Sequence, residues 1–125
     1  MIGIGVDLVE IDRFRVSLDR TPGLIDRCFT ADETTYALRR RDPSERFAVR
    51  FAAKEAVMKA MGVGLGEVRL RDIEVCRAES GAPSVLLHGT AAEKAESLGI
   101  ARWLLTMTHT GHLAEAIAVA LGDGG

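Results

Sequence analysis

The chain has 125 residues, 47% of them hydrophobic, enough for one compact domain and too few for two ordinary ones, so residues 1–125 read as a single domain. Lys and Arg total 16 against 18 Asp and Glu, a formal net charge of −2, and this balance argues against a dedicated nucleic-acid binder. No charged segment followed by an apolar one opens the chain and no stretch approaches membrane-spanning length, so the expectation is a soluble, cytoplasmic protein without membrane association. Cys28 and Cys76 lack the spacing of a metal site or a disulfide framework and read as ordinary buried thiols.

The first element is a strand in "IGIGVDLVEIDRF", residues 2–14. Alternation puts Ile2, Ile4, Val6 and Leu8 on one face and Gly3, Gly5, Asp7 and Val9 on the other. Glycine in a strand marks close approach by a ligand or another backbone, so Asp7 reads as a carboxylate with open space beside it; an aspartate here could equally end the strand and cap the next helix. That helix has Ile11, Phe14 and Leu18 at helical spacing, with Arg13, Arg15 and Arg20 off the stripe. "TPG" at 21–23 breaks the chain, and Thr30 with Glu33 forms the pattern of a capping box opening a second helix. Asp42 or Ser44 can cap a third helix, roughly 45–61, with Pro43 tolerated at its start and Gly62 as its stop.

Farther on, "DIEVCR" (72–77) and "SVLLHG" (84–89) flank the turn chemistry of "ESGAP" and predict a hairpin. Thr90 with Glu93 suggests another capping box for a short surface helix ending at Gly99. "RWLLTMTH" and "LAEAIAVAL" flank "TGH" and predict a second hairpin, whose alternating Ala114, Ala116, Ala118 and Ala120 could pack closely against a neighbouring chain. The expected architecture is α+β, a mainly antiparallel sheet packed against a long central helix.

The long helix carries the candidate chemistry. Around a strip with Ala48, Ala52, Glu55 and Lys59, the acid and the lysine form an i,i+4 pair bordered by methyl groups, where an ordinary surface ion pair is the alternative to a functional one. Asp7 and Glu55 are hard oxygen donors of the kind Mg²⁺ takes together with waters and substrate phosphates, and Arg50, Lys54 and Lys59 supply cations from the same helix. Phosphoryl transfer demands charge neutralisation and in-line positioning more than covalent catalysis, so this set is sufficient for phosphate chemistry. His109 beside the Thr110-Gly111 turn can donate to a phosphate or satisfy a turn carbonyl. His88, His109 and His112 show no zinc spacing, and "GVGLGE" at 62–67 lacks the Lys-Ser/Thr of a nucleotide-binding P-loop.

Taken together, "GIGVDLVEIDRF", "FTADE" (29–33), "RFAAKEAVMKAMGVG" (50–64), "DIEV" (72–75), "GAPSVLLHG" (81–89) and "TMTHT" (106–110) resemble the holo-acyl-carrier-protein synthase family, the small single-domain class of 4′-phosphopantetheinyl transferases. Thr106 stands where that family more usually has serine and keeps the hydroxyl. The resemblance implies transfer of the 4′-phosphopantetheine arm of coenzyme A to a serine of apo-acyl carrier protein, releasing adenosine 3′,5′-bisphosphate. It implies Asp7 and Glu55 as Mg²⁺ ligands, and Lys54, Lys59 and His109, with Arg50 beside them, as phosphate contacts. Glu55 is the first candidate for the base and Lys59 the second catalytic residue. Arg13, Arg15 and Arg20 offer a docking surface for an acidic carrier protein, and a homotrimer with active sites at subunit interfaces is the assembly implied. A non-catalytic module holding a coenzyme A derivative, or a purely structural oligomerisation domain, are the competing readings.

Overall fold

A computed structural model describes residues 1–123. Strand β1 (Gly3–Glu10) leads into helix α1 (Ile11–Arg20), followed by the short helices α2 (Leu24–Cys28) and α3 (Ala31–Ala37) and the long helix α4 (Ser44–Met61). A 3-10 turn (Leu70–Asp72) precedes β2 (Ile73–Arg77) and β3 (Pro83–Leu87), and α5 (Gly89–Ser97), β4 (Ile100–His109) and β5 (Leu113–Gly122) complete the order. The architecture is α+β as expected, with every strand pairing antiparallel. The strands divide into two sheets, β1-β5-β4 and β2-β3. Helix α2 has no counterpart in the sequence reading: it is a single turn entered through Gly23 in the left-handed region, which five residues cannot announce by periodicity.

Helix α4 lies across the inner face of the larger sheet and is buried on nearly every side. That surrounds it with apolar neighbours and explains why its hydrophobic residues fill two stripes. The sheet meets it through a run of minimal side chains. Gly3, Gly5 and Asp7 on β1 pair with Ala120, Ala118 and Ala116 on β5, which in turn pair with Trp103, Leu105 and Met107 on β4. Ala114, Ala116, Ala118 and Ala120 are fully buried, so they pack on the chain's own helix and not on a neighbour.

The two glycines have the same cause. A Cβ on Gly3 would overlap the carbonyl oxygen of Ala60, and one on Gly5 would overlap that of Ala56 and lie 2.7 Å from the Ala60 nitrogen. They admit the backbone of α4 to contact with β1, and they do not clear space for a ligand. Gly5→Ala forces strand and helix apart and is expected to cost at least about 2 kcal/mol of stability, read as a lowered denaturation midpoint at unchanged slope.

Local signals are otherwise resolved individually. The Thr30–Glu33 capping box forms as expected. The Thr90–Glu93 box does not: α5 begins at Gly89, and Thr90 instead gives both its backbone N–H (2.9 Å) and its hydroxyl (2.6 Å) to Asp72 Oδ2. A carboxylate reaching in from the 3-10 turn out-competes the local glutamate. Asp7 caps nothing, because β1 runs on to Glu10, which holds the N-cap position of α1. Cys28 is buried and Cys76 half-buried, and both are free thiols.

The other face of the larger sheet carries Ile4, Val6, Leu8 and Leu104, each more than half exposed. Ile4 and Leu104 flank Val119 of the central strand, and Val6 flanks Ile117. This is a contiguous apolar surface on the side opposite α4.

Candidate active site

β1 and α4 together bring Asp7, Glu55 and Lys59 into one group. Lys59 Nζ donates to Asp7 Oδ1 at 2.9 Å and to the Val6 carbonyl at 3.1 Å. Glu55, one turn earlier on α4, makes no hydrogen bond or ion pair among the described residues. Burial pushes its carboxyl above the usual glutamate range, the charge of Asp7 adds to that, and Lys59 opposes it. Asp7 and Glu55 line a cleft of about 360 Å³ together with Val9, Arg13, Phe14 and Phe51. An apolar hollow of about 570 Å³, bounded by Leu24, Cys28, Val68 and Leu70, adjoins this cleft and shares Phe51 and Glu55 with it.

Two hard carboxylates on one cleft, one of them unpaired and short of neutralising charge, fit a divalent cation whose remaining positions are open to water and ligand oxygens. Among the described residues no group of three or more His, Cys, Asp or Glu could hold a metal, so a cation held by this pair would draw its other ligands from water or a bound molecule.

The remaining expected residues fall elsewhere. Lys54 is 0% exposed and its ammonium is surrounded by three acceptors: Glu33 Oε1 at 2.7 Å, the Leu70 carbonyl at 3.1 Å and the Ile73 carbonyl. Burial lowers its pKa and the facing Glu33 resists that. Glu33 in turn accepts from the backbone N–H groups of Thr30 and Val75. Lys54 is therefore a structural cation that ties α4 to α3 and β2, and the expectation that it touches a phosphate is corrected. One residue along a helix turns the side chain by about 100°, which is why Lys54 and Glu55 serve different ends.

Arg50 and His109 lie around α4 from the carboxylates, at a second, narrower cleft of about 70 Å³ that also holds Tyr36, Arg40, Glu45, Arg46 and Arg77. The Arg50 guanidinium rests over the Tyr36 ring at 4.2 Å, as does that of Arg46 at 4.1 Å. Arg50 is 3% exposed and its Nε has no hydrogen-bond partner, while burial lowers its pKa. His109 Nε2 faces Glu45 Oε1 at 3.4 Å, with no turn carbonyl engaged among the described residues. The cleft thus gathers several cations and one buried donor without a hydrogen-bond partner, features that favour an anion. Arg46 could have been read from sequence, one turn before Arg50 on the same helix; Tyr36 and Arg77 arrive through tertiary contacts that no spacing reveals. On α1, Arg13 lines the carboxylate cleft. Arg15 is paired with Asp12 and, at 2.8 Å, with Asp42. Arg20 sits exposed in the last turn, where a cation complements the helix dipole.

The fold and the acid–lysine cleft define a small α+β domain equipped for phosphate chemistry. The chain belongs to the 4′-phosphopantetheinyl transferase superfamily, whose family model matches residues 3–117. It is 43% identical over 119 residues to a holo-[acyl-carrier-protein] synthase of Moorella thermoacetica, an overlap of 95% of this chain and 93% of the relative. Among solved structures it resembles the holo-ACP synthase of Plasmodium yoelii, with a TM-score of 0.88 and 28% identity over 99% of this chain and 97% of that one. It also resembles the Helicobacter pylori holo-[acyl-carrier-protein] synthase in complex with coenzyme A, with a TM-score of 0.83 and 28% identity over 94% and 99%. No helix among the described residues is long and apolar enough to cross a membrane.

Proposed function

We propose that this chain transfers the 4′-phosphopantetheine moiety of coenzyme A to a serine hydroxyl of apo-acyl carrier protein, with Asp7 and Glu55 holding Mg²⁺ in the cleft between β1 and α4. Family membership supports the reaction class, and the relatives' names supply the carrier protein and coenzyme A. The observation that carries the residue assignment is the unpartnered, partly buried Glu55 beside the Asp7–Lys59 pair. When bound, Mg²⁺ supplies charge neutralisation for the pyrophosphate and for the leaving adenylate side.

The serine oxygen attacks the β-phosphorus of coenzyme A, a new P–O bond forms, and the bond from that phosphorus to the bridging oxygen breaks, releasing adenosine 3′,5′-bisphosphate. Glu55, unpartnered among the described residues and facing the cleft, accepts the serine proton. Lys59, half exposed and bonded to Asp7 of the cleft wall, contacts phosphate oxygens. Arg13, lining the same cleft from α1, stands where an acidic protein acceptor approaches, with Arg20 farther along the exposed side. Arg15 presents a guanidinium already shared between two acids and contributes less.

The Arg50–His109 cleft makes sense in an assembly. It lies around α4 from Asp7, in a cleft separate from the one Asp7 lines, while the apolar outer sheet face asks for a second copy of the chain. A homotrimer that seats one subunit's Arg50 and His109 against the next subunit's Asp7 and Glu55 accounts for both. Its site is then a composite, with the adenylate phosphates on one chain and the pyrophosphate on the other.

Incubation with coenzyme A, Mg²⁺ and apo-carrier protein should raise the carrier's mass by one phosphopantetheine arm, and an unchanged carrier overturns the reading. The same mass assay tests the composite site. Asp7→Ala and His109→Ala should each lose activity alone, and co-refolded mixtures of the two should regain a fraction of it because some interfaces unite two intact halves. Mixtures as inactive as their components would rule out sharing.

A further inference from the structure

Asp7 faces two claims on one carboxylate. In the structure its Oδ1 accepts from Lys59 Nζ at 2.9 Å, and the same ammonium is anchored on the Val6 carbonyl at 3.1 Å. Asp7 is mostly buried, whereas the Lys59 side chain is half exposed and free to swing on its four-carbon stem. Glu55, facing the same cleft, has no such partner among the described residues. A divalent cation on Asp7 would therefore meet an ammonium within hydrogen-bond distance of its own ligand, and like charges that close in a partly desolvated cleft repel strongly. Cation and lysine therefore compete for the charge of Asp7, whose Oδ1 the lysine holds in the structure.

We infer that Lys59 is a latch: it neutralises Asp7 while the cleft holds no metal, and it moves to a phosphate of the incoming co-substrate, so that divalent cation and phosphate-bearing ligand bind cooperatively. The inference rests on the proposed assignment of Asp7 and Glu55 as metal ligands. A phosphate oxygen is a suitable acceptor for the displaced ammonium, since it offers the same charge-assisted bond that Asp7 gives up. The exchange keeps each anion paired throughout: carboxylate with lysine before binding, carboxylate with metal and phosphate with lysine after it. By reciprocity, whatever factor the ligand adds to metal affinity the metal adds to ligand affinity. The device also disfavours an unproductive state, because a metal bound alone would displace the lysine from its carboxylate with only water and the Val6 carbonyl to receive it.

The test uses Mn²⁺ as a countable probe, titrated into the intact protein with and without saturating coenzyme A and followed by electron spin resonance of the free ion. In the wild type, coenzyme A should tighten Mn²⁺ binding on the order of tenfold or more. Lys59→Met should bind Mn²⁺ alone about tenfold more tightly than wild type, and the tightening by coenzyme A should shrink. Lys59→Arg, which keeps a cation at Asp7, should behave as wild type toward Mn²⁺ alone, and circular dichroism establishes that both variants fold. If Lys59→Met gains equally with and without coenzyme A, the lysine acts only through its general field and the latch is overturned. No gain at all overturns it as well. If neither Asp7→Asn nor Glu55→Gln weakens Mn²⁺ binding, the metal assignment itself fails and the latch falls with it, a result distinct from the other two.

Discussion

Glu55→Gln is expected to lower turnover by on the order of 10³-fold, because one substitution removes both the base and half of the donor set for the cation. Glutamine keeps the shape and one oxygen, so the cleft retains its walls of Phe14 and Phe51 and any loss is chemical. Stability should not fall with activity. Among the described residues Glu55 makes no hydrogen bond that the amide could break, and burial and the charge of Asp7 both disfavour its ionised form. The sign follows from linkage: a carboxyl whose folded pKa lies above its unfolded one costs stability once pH has risen through that range and costs nothing well below it. The variant should therefore match the wild type in acid and equal or exceed it near neutrality, as urea titrations at both pH values would reveal. In wild type without divalent cation, the same raised carboxyl should titrate above the usual glutamate range and drop when Mg²⁺ is added, an order that carboxyl-resolved NMR reads directly. A Glu55→Gln protein with near wild-type turnover would remove Glu55 from the mechanism.

Lys54→Ala is the second large effect, and it acts on the fold. The lysine is fully enclosed, and removing it strands the Glu33 carboxylate in the interior with only two backbone N–H donors. It also leaves the Leu70 and Ile73 carbonyls without the ammonium they share. Breaking a buried pair from one side typically costs about 3–5 kcal/mol. For a domain of this size that is a large share of the total, so the variant should show a sharply lower urea midpoint or fail to accumulate in cells. Replacing both partners, Glu33→Gln with Lys54→Met, should recover much of the loss, because no charge is then left alone. A Lys54→Ala protein as stable as wild type would contradict the structural assignment.

The contrast between Glu55 and Lys54 shows how far sequence carries. The order of strands and helices was legible because each signal is local: the alternation in β1, the Thr30–Glu33 box, the glycine that stops α4 and the two hairpins. The Asp7, Glu55 and Lys59 group was legible as a chemistry, since acids and a lysine on otherwise apolar elements leave few structural explanations. What could not be read was direction. Helix α4 is packed nearly all round, so nothing in its pattern distinguishes a lysine pointing into the core from one pointing into a cleft, and Lys54 went to the wrong group. The glycines and the strand alanines were misassigned for a related reason: small residues announce a close neighbour and do not say whether it is a ligand, another chain or the protein's own helix. The Thr90 cap failed because Asp72 is a competitor from eighteen positions away.

The backbone contact between β1 and α4 at Gly3 and Gly5 has a consequence for engineering. Asp7 stands two residues beyond Gly5 on the strand, and Glu55 and Lys59 flank Ala56, the residue whose carbonyl Gly5 touches. The spacing of the acids is thus gauged by main chain against main chain, with no rotamer between them to act as a spring. Aliphatic residues elsewhere in the core can be exchanged to raise thermal tolerance, and the gauge will not feel it. Any redesign that thickens the seam by a single methyl resets the distance on which the chemistry depends.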